Sequence, residues 1–170
     1  QVDARLNSGV QVRGLSFPEY MDGRVHGYQV EIDPSTRAWS GGIYDEARRG
    51  WLYPLDQDEK AQKAFRPGKW NHFRIEAIGN TLKTWLNDVP TAHLVDDQTQ
   101  EGFVALQVHS IGSKKEMEGV QVRWRGIRIL TQSPQKYAKS IPLPAKDMIN
   151  RLTSNEQKEG WKLLFDGTST

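Results

Sequence analysis

Alternation of apolar and polar side chains with a period of two residues is the feature that most constrains how this chain can fold. In residues 27–33, Tyr28, Val30 and Ile32 fall on one face, and the polar residues between them fall on the other. The same period predicts strands at 72–79, 81–87 and 102–109. Gly79-Asn80 is typical of a tight hairpin turn between the first two of these. The chain is therefore expected to be rich in antiparallel strands.

The last long strand, predicted at 120–130, changes phase partway. Val122 and Trp124 share one parity, whereas Ile127 and Ile129 have the other. A β-bulge at Gly126 would bring both apolar sets to the core side. Several short strands joined by Gly, Pro and Asn turns, with little helix between them, predict an all-β antiparallel sandwich.

Composition excludes several classes of function. A net charge of +2 gives no long-range field for nucleic acid, and the absence of cysteine rules out disulfides and thiolate metal sites. No apolar run approaches the roughly 20 residues of a membrane helix, so no membrane span is expected. Neither a phosphate-cradling glycine loop nor a Gly-x-Ser-x-Gly elbow occurs. No cofactor is predicted, although a divalent cation held by Asp and carbonyl oxygens stays an open alternative.

The character of the sequence changes after Leu130. Residues 131–146 contain three prolines among polar residues, which is typical of an extended linker, and 145–152 are expected to form a short helix. Residues 160–170 again resemble a strand that runs into a turn. We therefore divide the chain into a sandwich at 1–130, a linker with a short helix at 131–159, and a final strand at 160–170. That strand either begins a second copy of the domain in a longer parent chain or completes this sandwich.

Several ordered segments resemble the 3-keto-disaccharide hydrolase family. They are residues 7–13, 27–33, 41–46, 70–71, 85–89, 102–109 and 122–127. The resemblance implies the jelly-roll sandwich of the concanavalin A-like lectins and glucanases, an oligosaccharide or glycoside substrate, and a periplasmic or extracellular location in a bacterium. The family's opening Leu-Phe-Asp-Gly strand is absent before Asn7 and stands instead at 164–167, and its usual Asn-Gly turn is Asn87-Asp88 here.

Two carboxylates in the family's most recognisable motif are candidate catalytic residues. Glu31 and Asp33 are two residues apart on one strand face, roughly 7 Å between Cα atoms. Such a pair can act as acid and base or hold a sugar hydroxyl, although a solvated strand face would give the same pattern. His109, at the end of its strand, is a candidate general base, with a purely structural role as the alternative.

Asn7, Arg13 and three aromatic residues are candidate substrate-binding residues. Asn7 and Arg13 have the parity of Gln11, and a guanidinium fork suits vicinal sugar oxygens. A structural pair between Arg13 and Glu31 would explain the same pattern. Trp39, Tyr44 and Trp51 lie in one loop-rich stretch, where their rings would either stack on sugar C–H faces or anchor the loop.

Three functions fit these features. The first is an enzyme that cleaves 3-keto-glycosides by base-assisted elimination followed by addition of water. The second is a non-catalytic carbohydrate-binding module, and the third is a structural or protein-interaction domain of a larger surface protein.

Overall fold

Two β-sheets form the protein in the computed structural model, which describes residues 1–147 and 158–164. The first sheet has the strand order β4-β3-β2-β1-β8. Its strands are β1 (Ser8–Gly14), β2 (Gly27–Ile32), β3 (Ile43–Glu46), β4 (Gly50–Tyr53) and β8 (Phe103–Val108). The second sheet has the order β5-β6-β7-β9, formed by β5 (Phe73–Ile78), β6 (Thr81–Leu86), β7 (Val89–Val95) and β9 (Lys146–Asp147). The predicted all-β sandwich is confirmed.

Helical elements are few and short in the described part of the chain. One α-helix, α1, spans Glu59–Gln62, and short 3-10 helices occupy Met21–Gly23, Lys115–Met117 and Pro134–Tyr137. The Asp58 side chain caps α1 by accepting a hydrogen bond from the Ala61 amide. No helix among the described residues is long and apolar enough to cross a membrane.

The core lies between the two sheets. Tyr28 and Val30 are fully buried there, as the alternation in 27–33 predicts, and they pack with Leu82 and Leu94 from the second sheet. Ile32 joins an adjoining apolar cluster with Val2 and Leu6. Burial of each large aliphatic side chain contributes about 1.5–3 kcal/mol, so these contacts fix which face of β2 turns inward.

Two hairpins build most of the second sheet. The predicted turn at Gly79-Asn80 joins β5 to β6, with Ile78 opposite Thr81. Asn87 and Asp88 have φ values of 49° and 66°, the left-handed pair of a type I′ turn, and they join β6 to β7. Strand β7 is absent from the sequence predictions. A register shift beside Pro90 breaks its alternation.

The predicted strand at 120–130 is wrong. In the described chain only Val122 makes a β-bridge there, with Val2, although Trp124 does pack against the core. Gly126 bends the backbone with φ of 61°, and Ile127 and Ile129 are left 65% and 72% exposed. The change of parity therefore marks a bend away from the core rather than a bulge within a strand.

Strand β8 forms as predicted, but its apolar face is exposed. It pairs only with β1 among the described strands, so it is an edge of the first sheet. Val108 is 75% exposed, and Val104 and Leu106 are also open to solvent. Alternation predicted the strand correctly, but an apolar face is not necessarily a buried one, and this face is exposed to solvent.

The segment predicted as an extended linker lies along the outer face of the second sheet. The Lys139 amide donates to the Glu76 carboxylate at 3.1 and 3.2 Å, and Arg74 Nη2 donates to the Tyr137 carbonyl at 2.7 Å. Strand β9 then pairs in parallel with β7. Residues 131–146 thus cover part of the sandwich.

The C-terminal predictions fall partly outside the described residues. Lys146–Asp147 form a strand where the helix at 145–152 was expected, and residues 148–152 lie outside the described range. Trp161 and Leu164 are exposed, and no strand is formed at 161–164. Pairing of 161–166 with a sheet stays a prediction, because residues 165–170 also lie outside that range.

Candidate functional site

The outer face of the first sheet carries a continuous set of polar and aromatic side chains. Residues paired across antiparallel strands share one face, and two rows cross the sheet. One row is Glu31, Gly9 and Gln107. The other runs through Trp51, Tyr44, Gln29, Gln11 and Ala105. We call this surface the polar face.

Glu31 lies at the centre of the polar face and is only 3% exposed. Its Oε1 accepts a hydrogen bond from Asn7 Nδ2 at 3.1 Å, and its Oε2 accepts one from Gln29 Nε2 at 2.8 Å. Burial raises the pKa of Glu31, and the Gln29 bond and the Arg37 charge offset this only in part. The result is a fixed carboxylate that is more basic than an ordinary one.

Asp33 has the opposite electrostatic environment. Although burial alone would raise its pKa, hydrogen bonds from Ser35 and Arg37 lower the pKa of Asp33 below its ordinary value. Arg37 Nε donates to Asp33 Oδ2 at 2.7 Å. Both carboxylates point away from the core, as alternation predicts, yet both are buried. A solvated strand face therefore does not describe this pair.

Arg37 links the carboxylates to the aromatic residues. Its Nη2 lies 3.9 Å from Glu31 Oε1, and its guanidinium carbon lies 5.0 Å from the Trp39 ring and 4.8 Å from the Trp51 ring. Sequence reasoning missed this residue. The signal was the Asp-Pro-Ser turn, in which the Ser35 amide bonds Asp33 and returns the chain to the sheet.

The three candidate aromatic residues form one aromatic wall along the β3 and β4 side of the polar face. Trp39 and Trp51 meet edge to face with ring centroids 4.7 Å apart, and Tyr44 meets Trp51 at 5.2 Å. Such pairs hold rings in fixed orientations. Trp39 also packs against the core, so the wall both anchors its loop and presents aromatic surface.

His109 lies at the open edge of the polar face. It follows Val108, which pairs with Ser8, and so it stands across from Asn7. Its charge makes a small contribution that lowers the pKa of Glu31. The His109 Nδ1 lies 2.8 Å from the Ser110 carbonyl oxygen.

Arg13 is placed apart from the other candidates. Its φ of 50° and the register shift between Gln11 and Gly14 break the parity that sequence reasoning assumed. Its guanidinium donates to the Thr99 carbonyl at 3.3 Å, and the Thr99 amide in turn bonds the Tyr28 hydroxyl. The structure therefore groups Arg13 with a buried polar network around Tyr28 and not with Glu31.

Three buried amide atoms on this side of the first sheet lack a hydrogen-bond partner among the described residues: Asn7 Oδ1, Gln11 Nε2 and Gln107 Oε1. Buried polar atoms are nearly always paired in folded proteins. Because all three belong to side chains of the polar face, they can accept from or donate to the hydroxyl and carbonyl groups of a ligand. Only the strand register places Gln11 and Gln107 on the same face as Glu31, which is why sequence reasoning did not select them.

Metal ligands are not clustered at this site. Among residues 1–147 and 158–164, no three His, Asp or Glu side chains are grouped so that they could hold a metal ion.

Comparison with known proteins identifies one family. The sequence model of a family described as 3-keto-alpha-glucoside-1,2-lyase-like domain matches residues 1–130 of this chain. A search of curated proteins finds no match. The matched range contains the whole polar face.

Proposed function

Since the chain belongs to the family of 3-keto-alpha-glucoside-1,2-lyase-like domains, we propose that its polar face cleaves the glycosidic bond of a 3-keto-glucoside by elimination. The observation that carries this proposal is the buried carboxylate of Glu31, with its raised pKa, among unpaired amides. A base of this kind suits removal of a carbon-bound proton near neutral pH.

The ketone determines the chemistry. It acidifies the hydrogen on carbon 2, so a base can remove that proton and leave an enolate between carbons 2 and 3. When the carbonyl reforms, a double bond forms between carbons 1 and 2, and the bond from carbon 1 to the glycosidic oxygen breaks. The leaving alcohol takes up a proton. Addition of water to the resulting enone would complete a net hydrolysis.

Several residues on and around the polar face have a role in this proposal. Glu31 takes the proton from carbon 2, and Asn7 and Gln29 orient its two oxygens. Arg37, whose Nη2 lies 3.9 Å from Glu31 Oε1, stabilises the enolate oxygen as its charge develops. Asp33 is a positioning residue, because it fixes Arg37 above the aromatic wall. His109, at the open edge on the β8 side, acts as a base towards the water that adds to the enone.

The direct test uses a 3-keto disaccharide and its unoxidised parent as paired substrates for the full chain. We expect the keto sugar alone to be cleaved, with an enone visible in the near ultraviolet before water adds. In deuterium oxide, carbon 2 of the recovered substrate or product should carry deuterium. Equal cleavage of both sugars would contradict an elimination that needs the ketone.

Substitution of Glu31 tests its role as the base. Glu31→Gln should lower kcat by about 10²-fold or more and abolish deuterium exchange at carbon 2, while circular dichroism stays unchanged because the substitution keeps side-chain size. Asp33→Asn should also abolish turnover, through the loss of Arg37 positioning. Glu118→Gln, at an exposed position, is the matched control. Wild-type rates in both site variants would refute the assignment.

The pH profile gives a second readout of the same role. Because burial raises the pKa of Glu31 above the ordinary value of 4.5, kcat/KM should rise with pH through a midpoint above that value. A rising limb centred at or below the ordinary value would exclude Glu31 as the base.

A carbohydrate-binding module without catalysis is the second candidate. The wall formed by Trp39, Tyr44 and Trp51 favours it, because aromatic faces bind sugars without any chemistry. In that case the keto sugar and its parent should both bind, neither should turn over, and Trp51→Ala should weaken binding of both.

A further inference from the structure

We propose that a cavity at one end of the polar face binds the leaving group, and that it takes an uncharged sugar unit. The cavity measures about 390 Å³ and is lined by Arg24, Tyr44, Glu46, Arg48, Arg49 and Trp51. This inference rests on the proposed function, because it assigns the second half of a disaccharide whose 3-keto half lies at Glu31.

Strand register places this cavity one sugar unit away from the base. Along β2, Glu31 is followed on the same face by Gln29 and then by Gly27, with steps of roughly 7 Å. Gln29 pairs with Tyr44, and Gly27 pairs with Glu46. The cavity therefore starts beside the ring that flanks Gln29 and continues in the direction away from Glu31.

The aromatic wall connects the two positions. Tyr44 and Trp51 belong to the polar face and also line the cavity, with their ring centroids 5.2 Å apart. A disaccharide lying along β2 and β3 would cross this wall at its glycosidic bond. The leaving group of a smaller substrate would not reach the cavity, which water would then fill.

Two buried nitrogen donors converge near Gly27, at the entrance of the cavity. A side-chain carbon at Gly27 would lie 3.4 Å from both Gln11 Nε2 and Arg48 Nη2. Arg48 Nη2 is held by Asp45 Oδ1 at 2.7 Å, so it is a fixed part of the cavity lining. Gln11 Nε2 has no hydrogen-bond partner among the described residues, and it is therefore the donor that a sugar hydroxyl at this entrance would use.

The charges around the cavity balance, which determines the class of ligand. Arg24 pairs with Glu46 at 2.7 Å, Arg48 and Arg49 pair with Asp45 at 2.7 and 2.6 Å, and Arg49 also pairs with Asp96 at 2.8 Å. Each of the three guanidinium groups that line the cavity is thus paired with a carboxylate, although of these carboxylates only Glu46 itself lines the cavity. Because every one of these charges is already paired, the cavity suits sugar hydroxyls better than an anionic group.

The test compares a 3-keto disaccharide with methyl 3-keto-glucoside, which has no second sugar. The measured quantity is the ratio of their kcat/KM values in the wild type, Arg24→Gln and Glu46→Gln. We expect each variant to lower the ratio about tenfold, the effect of losing roughly 1.4 kcal/mol of binding. Arg5→Gln removes another exposed arginine paired with a carboxylate, Asp3 at 3.0 Å, and should leave the ratio unchanged.

Calorimetric binding of glucose and of methyl glucuronide separates this inference from the proposed function. Glucose should bind the wild type and bind several-fold more weakly to both variants, even if no substrate is cleaved. If the wild type cleaves neither substrate but glucose still binds it more tightly than the two variants, the proposed function is overturned and the cavity site is supported. An unchanged ratio, or tighter binding of the glucuronide than of glucose, would overturn the cavity assignment.

Discussion

Glu31 is the residue in which fold and proposed function come into conflict. A buried carboxylate must lose its hydration on folding, and the hydrogen bonds from Asn7 and Gln29 replace that hydration only in part. A purely structural strand would carry an uncharged residue here more stably. The proposed function accounts for a carboxylate at this position, because groups with a perturbed pKa concentrate at functional sites.

This conflict predicts how stability depends on pH. Because the folded pKa of Glu31 is raised above 4.5, the folded state holds this proton more tightly than the unfolded state. The free energy of unfolding should therefore fall as pH rises from the ordinary value through the raised one, and then level off. Glu31→Gln removes this dependence, so the variant should gain stability relative to the wild type across the same window.

Urea denaturation between about pH 4 and about pH 8 measures this difference. Glu118→Gln again serves as the control, with a constant offset expected from the wild type. If the offset between the wild type and Glu31→Gln is also constant with pH, the carboxyl of Glu31 is not destabilised by burial.

At the scale of a strand, Gly9 in β1 makes the polar face possible. A methyl group at Gly9 would lie 2.6 Å from both Cδ and Cγ of Gln29. The missing side chain thus provides the space in which Gln29 lies while its Nε2 bonds Glu31 Oε2 at 2.8 Å. The glycine is required here by close packing and not by its backbone angles.

Gly9→Ala should displace Gln29 and weaken activity about tenfold, with a loss of stability of about 1–2 kcal/mol from overpacking. A double-mutant cycle identifies the cause. In a Gln29→Ala background, Gly9→Ala should have little further effect on kcat/KM. Additive losses in the double variant would mean that Gly9 acts by some route other than Gln29.

The hairpin between β6 and β7 has a turn of the right type with an unusual residue. Asp88 has φ of 66°, where glycine is unstrained. Asp88→Gly should raise the free energy of unfolding by about 0.5 kcal/mol. Asn87→Gly should lower it instead, because Asn87 Nδ2 bonds the Ala64 carbonyl at 2.8 Å and its Oδ1 accepts from the His72 amide at 2.9 Å. Thermal unfolding of both variants provides the comparison.

The elements that sequence reasoning predicted correctly are those with unbroken alternation and an unambiguous turn. Strand β2 and the hairpin of β5 and β6 meet both conditions. Strand β7 was not predicted, because the register shift at Pro90 breaks its alternation. The expected strand at 120–130 fails because periodicity reports the polarity of a segment, whereas a strand also needs a neighbour to pair with.

For the candidate site, the sequence predicted which residues share a strand face but not which strands are neighbours. Alternation brings Glu31 and Asp33 to one surface, but it says nothing about which strand lies beside β2. The amides of Gln11 and Gln107 become part of the site only through the pairing of β1 with β2 and β8. Arg13 was misplaced for a related reason, because a single left-handed residue in β1 reverses the direction that parity predicts.

At the scale of the whole molecule, the β8 edge of the first sheet is unpaired and exposes apolar side chains among the described residues. Val104, Leu106 and Val108 of β8 are exposed, and so are Ile127 and Ile129. Strand β8 also has no partner on its outer side among these residues. An apolar strand edge of this kind is a template for pairing with another strand.

Val108→Lys should therefore reduce self-association of the chain without unfolding it. Because Val108 is 75% exposed, the free energy of unfolding should change by no more than about 0.5 kcal/mol. A lysine on the edge opposes strand pairing through its charge and its hydration. Sedimentation velocity over a range of concentrations should show a larger monomer fraction for the variant than for the wild type. Val25→Lys, which adds the same charge at an exposed valine outside β8, should sediment like the wild type. If both variants associate to the same degree, charge in general and not the β8 edge controls association, and the edge is not a pairing surface.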